Sequence, residues 1–113
     1  MTKIFVYGTL KRGHLRAPVL AQQTFIEEVK TLPQYKLFDL GDFPGLMQVE
    51  NGNAIIGELY EVDETCLKRL DRIEGHPTLY KRDNINLANG EEAVAYFWQG
   101  NPGKDIGDSW DGE

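Results

Sequence analysis

Sulfur, histidine and positive charge are all in short supply in this chain. Cys66 is the one cysteine, so no internal disulfide can form and the fold must be held by packing. A reducing, cytoplasmic setting is the expectation. The two histidines, His14 and His76, lie far apart and belong to no ligand pair at metal spacing, so neither a metal nor any other cofactor is expected. No apolar run approaches the roughly 20 residues that cross a bilayer. Met1-Thr2-Lys3-Ile4 does not open a signal-like apolar stretch, and a membrane role is not expected. Twelve basic residues against eighteen acidic ones give a net charge of −6, which repels a phosphate backbone. The densest basic run, Lys11-Arg12-Gly13-His14-Leu15-Arg16, has no interleaved aromatics, so nucleic acid is not an expected partner. Nucleotide loops are missing too: Gly8-Thr9-Leu10-Lys11-Arg12-Gly13 has neither the P-loop nor the dinucleotide-binding spacing.

What the chain does have is enough apolar and aromatic material for one ordinary core. Its 113 residues read as a single domain, 1–113. Lys3 to Tyr7 is a β-branched and aromatic run stopped by Gly8, a buried strand entering a tight turn. Further strands are expected over Gln34–Leu40, Ala54–Val62, Tyr80–Leu87 and Ala93–Trp98, the last two joined by the hairpin signal Asn89-Gly90. Gly57 inside the Ala54–Val62 strand marks a bulge or a close backbone approach. Gly41 to Gly45 carries turn chemistry, and Pro18 to Ala21 suggests a short helix. Asp63 is a good N-cap and Gly75 a good stop for a helix over Glu64–Glu74. Segment 100–113, rich in Gly and Asp, reads as a C-terminal tail unless Ile106 and Trp110 anchor it over or beside a pocket. Strands without regular βα alternation and one clear helix predict an α+β domain with a curled, mixed or antiparallel sheet.

One carboxylate on that helix is out of place. At about 100° per residue, Cys66, Leu67, Leu70 and Ile73 form the stripe that must face the core. Glu74 falls between Leu67 and Leu70, whereas Lys68, Arg69 and Arg72 lie on the far side. Burial and the negative end of the helix both raise a carboxyl pKa, toward the range in which it exchanges protons at neutrality. The bland alternative is a frayed helix end where Glu74 turns to solvent or pairs with Arg72 or Arg82. Asp71 borders the same face and competes for the role, and the pattern does not separate the two. Cys66, on the apolar stripe with no activating histidine nearby in sequence, reads as core.

The turn after the first strand is the second candidate. Gly8 tolerates close approach, so backbone N–H groups can gather there into a concavity suited to a carboxylate. An ordinary strand-to-loop turn is the alternative. Tyr7 and Tyr80 are read either as pocket lining or as buried tyrosines with one satisfied hydroxyl.

Together these blocks resemble a known family. Phe5-Val6-Tyr7-Gly8-Thr9-Leu10-Lys11-Arg12-Gly13, then Phe43-Pro44-Gly45, then Gly57-Glu58-Leu59-Tyr60-Glu61-Val62, then Leu70-Asp71-Arg72-Ile73-Glu74-Gly75 with Tyr80-Lys81-Arg82 are similar, in order and spacing, to the γ-glutamyl cyclotransferase-like (AIG2-like) family. The resemblance spans about residues 3 to 98 and implies a small mixed β-barrel with one or more packed helices. It implies Glu74 as the catalytic acid/base and Tyr7, Gly8, Thr9 and Leu10 as the substrate-binding loop. It adds Phe43, Pro44, Gly45, Tyr80 and Arg82 as pocket-lining candidates. The implied activity is cyclisation of a γ-glutamyl amine or amide to 5-oxoproline with release of the amine, on a small-molecule substrate and without a cofactor. A non-catalytic domain that keeps the pocket for a small acidic metabolite is the alternative.

Overall fold

A computed structural model describes residues 1–111. Eight strands, β1 (Thr2–Val6), β2 (Thr24–Lys30), β3 (Tyr35–Asp39), β4 (Pro44–Gln48), β5 (Ile56–Val62), β6 (Tyr80–Asn86), β7 (Glu92–Trp98) and β8 (Lys104–Asp105), accompany one helix, α1 (Glu64–Glu74), and a one-turn 3-10 helix at Ala17–Leu20. Five strands form a mixed sheet in the order β2-β5-β1-β7-β6, and three form a second sheet, β4-β3-β8. Within the larger sheet β1 runs antiparallel to β5 and parallel to β7. That sheet curls until its edges meet at one end: Thr31 bridges Leu87, Leu32 N–H donates to Asn86 C=O at 3.0 Å, and Ala88 N–H donates to Lys30 C=O at 2.9 Å. The α+β barrel is thus closed at that end.

Strand alternation sorts the core into two layers. Phe5, Leu59, Ile85 and Ala95 face inward and meet Leu37 and Leu46 from the second sheet. Ile4, Val6, Tyr60 and Val62 face outward and are covered by Cys66, Leu67 and Leu70 of α1. Each fully buried Leu or Ile contributes about 1.5–3 kcal/mol relative to exposure, so this apolar stripe is what docks α1. The helix limits are local in origin. Asp63 accepts from Cys66 N–H at 2.7 Å as N-cap, and Gly75 adopts φ 65° as the left-handed C-cap.

Three strands were not foreseen in the sequence. β2 contains a bulge between Phe25 and Glu27 and leaves Glu27 and Glu28 exposed, so its alternation is masked. Phe43-Pro44-Gly45 is not all turn: β4 starts at Pro44, the first-residue position where a missing N–H is tolerated. β8 pairs with β3 and brings in the C-terminal segment. Gly57 turns out to mark a close approach, since a Cβ there would lie 2.5 Å from the Phe5 ring and from Val6 O. The tail is anchored. Ile106 N–H donates to Leu37 C=O at 3.1 Å, Ile56 N–H donates to Asp108 C=O at 2.8 Å, and Trp110, 7% exposed, joins the inner core layer.

Candidate active site

β1 ends at Val6, and Tyr7-Gly8-Thr9-Leu10 follow as a buried turn at the mouth of the sheet. Glycine is required at position 8: an added Cβ would lie 2.7 Å from Pro44 Cγ and 3.0 Å from Cδ. The turn closes with Lys11 N–H donating to Gly8 C=O at 3.1 Å and Arg16 N–H donating to Thr9 C=O at 2.7 Å. No described residue accepts from the N–H of Gly8, Thr9 or Leu10. Buried N–H groups are rarely left unpaired, and three of them in one turn can be satisfied by an anion or by water entering the cleft.

The chain after the turn is tied down from two sides. Glu58, buried beside the turn on β5, accepts Arg12 N–H at 2.9 Å and Arg12 Nε at 3.2 Å, and the guanidinium lies 3.9 Å over the Phe25 ring. Lys11 Nζ donates to Trp110 C=O at 2.7 Å.

Facing the turn is the last turn of α1. Together they line a cleft that opens to solvent, whose lining includes Tyr7 to Leu10, Arg16, Phe43, Pro44, Ile73, Glu74, Leu79, Tyr80 and Tyr96. Glu74 accepts no hydrogen bond from any described residue, and burial pushes its pKa up to about 7 against the opposing pull of Arg16. Asp71, one turn earlier, is in a different state. Its oxygens take a two-pronged bond from Arg82, Nε at 2.9 Å and Nη2 at 3.1 Å, and a third from the Tyr96 hydroxyl at 2.7 Å. Burial alone would raise the Asp71 pKa, but these bonds and the Arg82 charge outweigh it and hold it below the usual carboxylate range. Two carboxylates three residues apart are therefore driven in opposite directions.

The cleft tyrosines have their protons engaged. Tyr7 OH donates to Tyr96 C=O at 2.6 Å and Tyr80 OH to Pro44 C=O at 2.7 Å. Burial raises both phenol pKa values, so these rings are walls of the cleft rather than proton donors at neutral pH.

Of the residues singled out in the sequence, Glu74, Tyr7, Gly8, Thr9, Leu10, Phe43, Pro44 and Tyr80 converge on this cleft. Arg82 and Gly45 do not. Arg82 is turned away by its fork onto Asp71. Gly45 packs where a Cβ would meet Leu40 and the Trp98 side chain. Cys66 is buried in the outer core layer. Arg16, Ile73, Leu79 and Tyr96 were missed as lining residues. Ile73 was visible only as part of the apolar stripe, and Arg16 only as one member of a basic run. Among the described residues no cluster of His, Cys, Asp or Glu is placed to hold a metal ion, and no helix is long and apolar enough to cross a membrane.

Known proteins are similar to this chain in sequence and in fold. A Vibrio cholerae protein is 41% identical over 96 residues, covering 85% of this chain and 81% of its own. The γ-glutamylaminecyclotransferase of Rattus norvegicus is 37% identical over 114 residues, covering 94% of this chain and 74% of its own. Among solved structures, a Pyrococcus horikoshii protein superposes with a TM-score of 0.80 at 27% identity, over 94% of this chain and 86% of its own. A mouse AIG2-like protein gives 0.78 at 31%, over 88% and 78%. The family model described as γ-glutamyl cyclotransferase, AIG2-like, matches residues 4–112, and the chain belongs to that family.

Proposed function

We propose that this chain is a γ-glutamyl cyclotransferase, in which Glu74 moves the protons and the Tyr7–Leu10 turn holds the glutamyl unit. The observation that carries the reading is a carboxyl without a described partner, at a pKa of about 7, sharing one cleft with three backbone N–H groups that have no acceptor among the described residues. A base half-deprotonated near neutrality fits removal of a proton from the substrate's α-ammonium group. The freed nitrogen attacks the γ-carbonyl carbon of the same molecule, the ring C–N bond forms, and the carbonyl oxygen takes up the negative charge. Protonated Glu74 then gives its proton to the departing nitrogen. The bond to the amine breaks, the carbonyl re-forms, and the second proton of the ring nitrogen leaves with the amine as ammonium. No redox change occurs and no water is consumed.

The attack is intramolecular, so holding nucleophile and carbonyl together supplies much of the acceleration; effective molarities of about 10⁵ M or more are available to well-oriented pairs. The turn N–H groups are suited to the substrate's anionic oxygens. The name of the rat relative favours γ-glutamylamines as the substrate class. The buried free thiol of Cys66 suits a cytoplasmic setting. The test is incubation of the protein with γ-glutamyl-ε-lysine, γ-glutamyl-alanine and glutathione, with 5-oxoproline measured by mass spectrometry. Release from at least one substrate is expected. If all three remain intact while 5-oxoproline binds, the non-catalytic reading replaces this one.

A further inference from the structure

Lys11, Arg12, Arg16, Arg72 and Arg82 are the arginines and lysines around the Gly8 turn and the end of α1, and they are not equivalent; Arg72 is exposed and does not line the cleft. Lys11 is committed to Trp110 C=O, Arg12 to Glu58 and Arg82 to Asp71. Arg16 lines the cleft, half-buried, and no described residue accepts a hydrogen bond from its guanidinium or pairs with it. Its main chain is nevertheless fixed. Arg16 N–H donates to Thr9 C=O at 2.7 Å, and Arg16 C=O accepts from Val19 N–H at 3.0 Å as the chain enters the 3-10 turn. A guanidinium held beside that turn, with no acceptor among the described residues, is shaped for a carboxylate, whose two oxygens match its planar fork.

Which carboxylate follows from the substrate's own geometry. The α-ammonium and the α-carboxylate sit on one carbon, so the base for the first and the receptor for the second must face the same small volume. Among the described lining residues, Glu74 and Arg16 are the charged side chains that do so. The unpaired N–H groups lie alongside, next to the Thr9 carbonyl that holds Arg16.

We infer that Arg16 binds the α-carboxylate of the glutamyl unit, together with the turn N–H groups, and so restricts the site to compounds in which that carboxylate is free. The assignment rests on the cyclotransferase reading for the substrate's identity, but its test needs no turnover. Calorimetry compares binding of 5-oxoproline with binding of its carboxamide, which has the same ring and no charge. The wild-type protein should prefer the acid by about 10–100-fold, as expected for one charge-assisted pair. Arg16→Met should bring the two ligands to within about threefold while leaving carboxamide affinity unchanged. Arg16→Lys, which keeps the charge without the fork, should fall between.

A wild-type protein indifferent to the charge overturns the assignment whatever the variants do. An Arg16→Met protein that keeps the full preference overturns it as well. The two readings fail separately: the predicted binding pattern without 5-oxoproline release from any γ-glutamyl amine removes the enzyme and leaves the Arg16 site. Release with the preference intact in Arg16→Met does the opposite.

Discussion

The Tyr96 hydroxyl donates to Asp71 Oδ1 at 2.7 Å, so a residue of β7 grips α1 one turn before its end. The main-chain carbonyl of Tyr96 takes the hydroxyl of Tyr7 at 2.6 Å, on the opposite wall of the cleft. One residue thus ties the helix turn that carries Glu74 to the turn that carries Gly8. Arg82 completes the grip by pairing with both Asp71 oxygens, while its own N–H donates to His76 Nδ1 at 3.0 Å just past the helix end.

Asp71 is therefore expected to be a structural carboxylate. Asp71→Asn leaves Arg82 without its charged partner in a half-buried site, and a loss of about 1–3 kcal/mol is expected. The Asp71 pKa is lowered in the folded protein, so its contribution is present above the ordinary carboxylate pKa and is lost as pH falls through the folded value. Urea denaturation of wild type and variant should show a gap at pH 7 that closes in acid. Equal midpoints at pH 7 would contradict the grip.

Glu74 should behave in the opposite sense. Its folded pKa of about 7 lies above the ordinary glutamate value of 4.5, so between those values the folded state binds more protons than the unfolded state, and stability falls as pH rises. A shift of that size corresponds to about 3 kcal/mol. Glu74→Gln carries no such cost and should gain stability relative to wild type between pH 4 and pH 8. The same variant should lose about 10²–10⁴-fold in kcat. A variant that keeps near wild-type turnover removes Glu74 from the chemistry.

Gly8→Ala places a Cβ 2.7 Å from Pro44 Cγ, against a ring that cannot swing aside and whose carbonyl holds Tyr80. Both walls of the cleft must shift. The expected result is a loss on the order of 10–100-fold in kcat/KM with the protein still folded, checked by steady-state kinetics beside circular dichroism. Unchanged kinetics would mean that the close approach is not needed for function.

Trp110 decides whether the C-terminal segment is a lid or a part of the core. It is buried in the inner layer and does not line the cleft, and its Nε1 has no hydrogen-bond partner among the described residues. Trp110→Ala should cost about 3–5 kcal/mol, whereas Trp110→Phe keeps most of the apolar contact and removes an unpaired N–H, and should cost much less. Thermal denaturation separates the two. A Trp110→Ala protein that melts like wild type but shows altered kinetics would restore the lid.

Local signals in the chain already determined α1, because an Asp cap, a Gly stop and an apolar stripe act within a few residues of one another. They determined β1, β3, β5, β6 and β7 to within about two residues at most ends, because alternation and turn residues are likewise short-range. The same helical phase put Glu74 on the core side. It put Asp71 there as well, and could not tell them apart. Only the tertiary structure decided that Asp71 meets Arg82 and Tyr96 while Glu74 meets no described donor, since those partners arrive from strands later in the chain. Arg82 bonds Asp71 and Arg16 lines the cleft for the same reason: where a cation ends up depends on which acceptors the fold brings beside it. β2, β4, β8 and the joining of the sheet edges at Thr31 and Leu87 depended on distant pairing as well. Composition and periodicity carry no record of a neighbour that lies close in space and far away in sequence.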